Sequence, residues 1–436
     1  MGMRGIVRRA LESLLALCVL AFSAHPAAAQ TQDDFFDDRS LQDVRLTIGE
    51  RDWSALQAHF EANTYYAADL TWRGVTLRNI GIRSRGGGTR SATKPGLRVD
   101  VNHYVSNQEF LGLKAFELKN MDADPSLLRE TVAMKLYAQM GIPAPREAHA
   151  RLYINNQYSG VFVIVESIDR TFVSRTFGAA EAQLDTGGHL FEYKWVFPYD
   201  FSYLGPDLRA YAPIFEPQTH ETDAISSLYD PIEEMIRTIN GASDEDFAAA
   251  VGRYLDTTLF LKCLAVELFT VEWDGFAGNW EANNFYLYRP RQMDRSQMIP
   301  KDRDHAFNWD GANADDFINA PITLRLDTNV LTRRAMAVPE LRQIFLDALT
   351  AAAGAAAAPA DDDPRGWLER EVDRESRQIA SAVAEDPVFP FGIDAFQADV
   401  DFLSRFARMR PAVVASQVAQ MEASSSSVSE GLRNTR

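Results

Sequence analysis

The most regular stretch of the chain runs from residue 124 to residue 143. Asp124 followed by Pro125 has the form of an N-cap and a first helical residue. Leu128, Val132, Leu136 and Met140 then recur every four positions until Gly141 and Pro143 close the run, which predicts a helix with one apolar face. The period changes in "ARLYINNQYSGVFVIVE" (150–166), where apolar and polar residues alternate around Asn155-Asn156; this predicts a β-hairpin turned at the asparagines. "HLFEYKWVF" (189–197) predicts a further strand. From Thr257 to Thr270 helical spacing returns, with Leu259, Cys263, Val266 and Phe269 on one face. A polar loop "VEWDGFAGNWEAN" follows, then a strand "NFYLY", a turn at Arg289-Pro290 and a short strand ending "MIPKD". The last third, with "LRQIFLDAL" and "FLSRFARMRPAVVASQVAQM", reads as helices. Strands in the first two thirds and helices after them make an α+β chain.

The two ends depart from this pattern. Residues 1–29 combine a basic start, an apolar stretch from Ser13 to Ala24 and the small residues Ala27-Ala28-Ala29, which predicts a cleaved export signal. The apolar stretch is shorter than the roughly 20 residues a bilayer crossing needs, so no stable membrane insertion is expected after cleavage. "EASSSSVSEGLRNTR" (422–436) reads as a disordered tail, placed at 423–436, and "AAAGAAAAPADDDP" (351–364) as a helix end running into a solvated acidic loop. A net charge of −17 argues against nucleic acid as a partner. Cys18 falls in the leader and leaves Cys263 without an internal disulfide partner, so the fold must rest on its core.

Against that acidic background, "IRSRGGGTRSATKPGLRV" (82–99) stands out, with Arg83, Arg85, Arg90, Lys94 and Arg98 and no acidic residue. Positive charge with Gly86-Gly87-Gly88 between offers both attraction and close backbone approach to an anion such as a polyphosphate. Neither the P-loop order nor G-x-G-x-x-G is present, and an exposed hairpin with its arginines paired elsewhere fits the same residues. Asp274, then Asn279 five residues on, then a predicted hairpin and Asp302 follow the order in which kinases set a catalytic aspartate, a metal-binding asparagine and a second metal-binding aspartate. Asp302 and Asp304 can share a hard cation, or can cap a turn; Ala306 and the missing glycine exclude an EF-hand. His305 has no second histidine or cysteine at ligand spacing and is expected to be a packed or hydrogen-bonding residue. Glu166 ends an otherwise apolar strand and should meet a cation, either Lys94 or an arginine of the basic stretch. Glu130 is the rival for that role.

The blocks "RSRGGGTRSATKPGLRVDV", "LKNMDADPSLLRETVAMKLYAQMGIPAPREAHARLYINNQYSGVFVIVESID", "WDGFAGNWEANNFYLY" and "IPKDRDHAF" resemble, in this order, those of the CotH family, the spore coat protein H type atypical kinases. "DPVFPFGIDAFQADVDFLSRFARMRPAVVASQV" resembles that family's closing helices, and the likeness covers most of residues 40 to 422. It implies a diverged, reduced protein-kinase-like fold of two lobes, with a mixed or antiparallel sheet and a helical C-terminal part. It also implies transfer of phosphate from ATP to protein hydroxyls with Mg²⁺ or Mn²⁺. By position, Asp274 matches the catalytic aspartate and Asp302 the metal-binding one, with Asn279, Asn284 and Asp304 as further metal candidates. Arg83, Arg85, Gly86 and Lys94 match the segment near the nucleotide phosphates, and Glu166 the family's acidic strand residue. Ser167 after Glu166, and a glycine triplet where Gly-Asn is common, depart from the family pattern.

The leading expectation is an exported, ATP-dependent protein kinase at a cell surface, in a periplasm or secreted. A surface binding module that keeps the fold without turnover, holding an anionic ligand and a structural cation, is the alternative. An enzyme of phosphate transfer or hydrolysis on a non-protein substrate is a third.

Overall fold

The computed structural model describes residues 30–307 and 314–433, with side chains to residue 424. The expected export signal (1–29) and the last three residues of the expected tail lie outside the described residues.

Seven strands close into a barrel: β1 (Gln42–Ile48), β2 (Tyr66–Trp72), β3 (Val75–Ser84), β4 (Leu97–Asp100), β5 (Ala115–Lys119), β6 (Glu147–Ile154) and β7 (Gln157–Glu166). Their order is β1-β2-β3-β4-β5-β7-β6, and a parallel pairing of β1 with β6 completes the ring. The inward positions follow the two-residue period of a pleated strand. Val44 and Leu46 of β1 meet Leu70, Trp72, Ile82, Val99, Phe116 and Leu118, and Phe35 and Phe110 plug the interior edge to face, 4.9 Å apart. Strand β7 is buried on both sides. Phe162 and Ile164 face the barrel, while Val161, Val163 and Val165 belong to a second, larger core built on the helices. That double burial explains why "VFVIV" is apolar without interruption.

The second core joins the helices Arg129–Gln139, Ile225–Gly241, Thr257–Thr270, Pro339–Ala357, Trp367–Ala384 and Ile393–Arg433 to a four-stranded antiparallel sheet. Its strands are β8 (His189–Tyr193), β9 (Phe215–Pro217), β10 (Phe285–Arg289) and β11 (Gln297–Pro300), in the order β11-β10-β8-β9. The α+β expectation holds. The expected mixed or antiparallel sheet is divided in two, a closed mixed barrel and a separate small antiparallel sheet, and the barrel is not the usual form of a kinase lobe.

Several local expectations are met, and others shift by a few residues. The hairpin turns at Asn155 and Asn156, both at positive φ as the tight turn requires. The Thr257–Thr270 helix is capped by Asp256, whose side chain accepts from the Leu259 amide. The first predicted helix begins later than Asp124-Pro125 suggests, at Arg129, because Leu127 adopts a left-handed conformation that a helix cannot absorb. Asp124 still serves that helix, accepting from the Arg129 amide at 2.8 Å. The strand at 189 stops at Tyr193, leaving Trp195, Val196 and Phe197 exposed. The final helix continues to Arg433, across most of the segment whose composition suggests disorder. A helix already nucleated by packing extends through weak formers at little further cost.

One buried cation ties the helical region together. Arg410 is fully buried without an acidic partner among the described residues, and it donates to the carbonyls of Leu268 and Phe269 at the end of the Thr257–Thr270 helix, and to those of Ile318 and Ala320. Burial pulls its pKa down to about 10, still far above neutrality. A cation is well placed against the negative end of a helix dipole, and here it fixes where that helix stops. Arg410→Met should therefore lower unfolding free energy by about 3 kcal/mol, since four carbonyls lose their donor; the urea midpoint should fall with an unchanged slope.

Candidate active site

Between the barrel and the small sheet lies a cavity of about 1130 Å³. Lys119, the last residue of β5, reaches its edge and stands among three carboxylates. Its Nζ contacts Glu130, lies 2.5 Å from Asp302 Oδ1 and 3.4 Å from Asp304 Oδ2. Glu130 comes from the first turn of the Arg129–Gln139 helix, and Asp302 and Asp304 from the segment after β11. Burial works against the Lys119 cation, but attraction to Asp302, Asp304 and Glu130 outweighs it and holds the ammonium protonated well above its usual range. Burial likewise opposes the charge of Asp302, yet Lys119 and Arg85 pull its pKa below the ordinary carboxylate range. Glu130 shares the same lysine with two aspartates, so for it burial prevails and its pKa rises to about 7.

Arg85 completes the positive side. Its guanidinium is 2.9 Å from Glu117 on β5 and 3.9 Å from Asp302. Gly86, Gly87, Gly88 and Thr89 line the cavity with it. Gly86 has φ +118°, a conformation that favours glycine, and its carbonyl accepts from Arg90 Nε at 2.8 Å. Arg83 also lines the cavity, donating to Asn63 and to the carbonyl of Ser84.

Asp274 sits on the loop that follows the Thr257–Thr270 helix. Asn283 donates to one carboxylate oxygen at 2.8 Å, and Asn284 to the other at 3.0 Å. Burial raises its pKa, only partly offset by the Asn283 hydrogen bond. The loop is held from below by Glu267, which accepts from the amides of Phe276 and Ala277. Gly275 lies so close to this carboxylate that a Cβ would stand 2.3 Å from it, which is why the turn beside Asp274 needs glycine. Arg303, between Asp302 and Asp304, points the other way, 3.7 Å from Glu267 and with its guanidinium over Tyr137. Asp302, Arg303 and Asp304 therefore send alternate side chains to the cavity and to the core.

The structure brings Arg83, Arg85, Gly86, Asp274, Asn284, Asp302 and Asp304 to one cavity. Lys94 is elsewhere. It is buried in a pair with Asp386 at 2.9 Å, where it joins the segment before β4 to the segment after the Trp367–Ala384 helix. Glu166 lines the cavity but does not meet Lys94; Arg146 and Arg175 take both its oxygens at 2.7 Å. Asn279 is not in the cavity wall, and its amide oxygen is buried without a hydrogen-bond partner among the described residues. Asn284 spends its amide on Asp274. His305 lines the cavity, joins no cluster of ligand-type side chains among the described residues, and stands edge to face with Trp273. Sequence reasoning missed Lys119. Its only signal is a lone lysine closing the short strand "AFELK" between buried residues. Glu130 was the rival candidate, and it is the residue that pairs with a lysine here.

Glu130, Asp302 and Asp304 offer carboxylate oxygens that all lie within 4.8 Å of one another. An all-oxygen, anionic donor set suits a hard dication such as Mg²⁺ or Mn²⁺ and gives no preference to a soft ion.

The family model described as CotH kinase protein matches residues 82–414. Spore coat protein homolog 1 of Rhizopus delemar is 21% identical across 72% of this chain and 51% of its own length. Inner spore coat protein H of Bacillus subtilis is 23% identical across 53% of this chain and 60% of its own. Invasin CotH7 of Rhizopus delemar is 22% identical across 67% and 48%. The chain thus spans about half to three-fifths of the length of these relatives. A solved structure, the Helicobacter pylori proinflammatory kinase CtkA, aligns over 83% of this chain and 93% of that one at 10% identity, with a TM-score of 0.27, too low to establish a shared fold.

The Glu130 shift sets a pH dependence. The folded carboxyl titrates near 7 and an unperturbed one near 4.5, so the folded state holds this proton more tightly. Its contribution to stability is full below about pH 4.5 and is lost as pH rises through 7. Urea midpoints of the metal-free protein should fall across that window, and Glu130→Gln should flatten the fall.

Proposed function

Because the chain belongs to the CotH kinase family, we propose that it is an exported phosphotransferase that moves the γ-phosphoryl group of ATP to a protein hydroxyl. The single observation that supports this most is the meeting of Arg85 and Lys119 with Asp302 on one wall of the cavity whose lining also holds Asp274. Arg85, Lys119 and the amides of Gly86 to Gly88 would cradle the phosphates, while Val165, Ile168 and Tyr286 of the same cavity give the base an apolar wall. Glu130, Asp302 and Asp304 would hold Mg²⁺ or Mn²⁺, which when bound offsets phosphate charge.

Asp274 would orient the acceptor. Each carboxylate oxygen accepts one asparagine amide and keeps a lone pair for the incoming hydroxyl. As the acceptor oxygen bonds to phosphorus, its proton passes to Asp274 and the γ-phosphorus to oxygen bond breaks, leaving ADP. Asn283 and Asn284 lock the rotamer that this requires.

Export is part of the proposal. It rests on the leader-like composition of residues 1–29, and on the names of the relatives, which are spore coat proteins and invasins. No helix among the described residues is long and apolar enough to cross a membrane. The silent binding module keeps one specific support, because both oxygens of Asp302 already face cations, Lys119 and Arg85.

Incubation of the purified protein with γ-labelled ATP and Mg²⁺ or Mn²⁺ separates the readings. Label should appear on protein, and Asp274→Asn should reduce its rate by about 100-fold or more while ATP affinity changes little. Nucleotide binding with no incorporation would favour the binding module, and full activity in Asp274→Asn would remove that residue from the mechanism.

A further inference from the structure

A second cluster of ligand-type side chains lies where β8 begins. His189 is the first residue of β8, His220 lies just past β9, and Asp223 follows in the turn before the Ile225–Gly241 helix. One oxygen of Asp223 is 3.4 Å from His189 Nε2 and 3.7 Å from His220 Nδ1. The two imidazoles stack with centroids 4.4 Å apart, and one ligand atom from each of the three residues falls within 4.8 Å of the others. Neighbouring ligands on a tetrahedral zinc ion stand about 3.4 Å apart, given metal–ligand bonds of about 2.1 Å. The three atoms are already near that spacing, with an exposed side left for water.

His220 supplies an independent observation. It is 8% exposed, its Nε2 is buried with no hydrogen-bond partner among the described residues, and its Nδ1 is beyond hydrogen-bond distance from Asp223. A buried imidazole nitrogen left unpaired is costly unless something else engages it.

We propose that His189, His220 and Asp223 bind one zinc ion, with a structural role. The ion would clip the start of β8 to the loop that leads into the Ile225–Gly241 helix. Strands β8 and β9 carry Glu192 and Glu216 into the cavity wall, so the clip steadies that wall from the sheet's other end. The donor set separates this ion from the one at Asp302. Two imidazoles and one carboxylate favour zinc over magnesium or calcium. Arg289, the register partner of His189 on β10, adds a positive charge that a purely electrostatic cation would have to overcome. With Cys263 buried and free, no disulfide among the described residues performs this fastening.

The test uses the full chain stripped of metal and carrying Asp302→Asn, so that the carboxylate cluster does not contribute. Calorimetric titration with Zn²⁺ in millimolar Mg²⁺ should show one equivalent binding with a Kd of about 1 µM or tighter. His189→Gln or His220→Gln in the same background should weaken this by about 100-fold, and the zinc-dependent rise in melting temperature should vanish. Asp223→Asn is the variant least able to disturb folding, because its side chain is 38% exposed; it should cost at least about tenfold in affinity. No zinc equivalent in the Asp302→Asn protein, or unchanged affinity in Asp223→Asn, would overturn the proposal.

Discussion

The buried ammonium of Lys119 is the point at which the barrel, the Arg129–Gln139 helix and the segment after β11 are joined. Taking one cation and three carboxylates out of water is expensive, and the cost is recovered only where every partner is close and correctly aimed. Here Glu130 comes from the Arg129–Gln139 helix, and Asp302 and Asp304 from the segment after β11. Removing Lys119 would leave three carboxylates without the cation they share, so the cluster constrains the relative placement of three elements more tightly than apolar contact would. Three carboxylates stand around one ammonium, an excess of negative charge that would suit the divalent ion proposed for this site.

Around this centre, a shell of arginines fixes the surrounding backbone. Arg410 ends the helix that leads to Asp274. Arg303 reaches Glu267, which in turn accepts from the amides of the Asp274 loop. Arg146 and Arg175 clamp Glu166 at the end of β7. Each is a cation with a rigid planar fork of donors, suited to holding several oxygens at once. These arginines face inward and do structural work, whereas Arg83, Arg85, Arg90, Arg98, Lys119, Lys194 and Lys301 line the cavity together with the glycine triplet.

The parts of the fold legible in the sequence were those decided by short-range pattern. The hairpin at Asn155-Asn156 and the helix at Thr257–Thr270 follow from turn chemistry and from period. Barrel closure does not, because it depends on a parallel pairing of β1 with β6, strands about a hundred residues apart whose own patterns say nothing about each other. The same limit governs the site. Asp274 and Asp302 were marked by their order along the chain, helix, loop, hairpin, acidic pair. The partner of each charge was not so marked: Lys94 and Glu166 carry suitable chemistry at suitable places in the sequence, yet one meets Asp386 and the other two arginines.

The sequence by itself determined the α+β class, the family blocks and the residues able to hold anions and cations, since these depend on residue type and spacing. Only the tertiary structure decided that Lys119, not Lys94, faces the carboxylates and that Arg85 stands beside Asp302. Charges interact through space, with an energy that falls with distance and grows as water is excluded. Both distance and exclusion are set by how the barrel closes against the helices, which no spacing along the chain encodes.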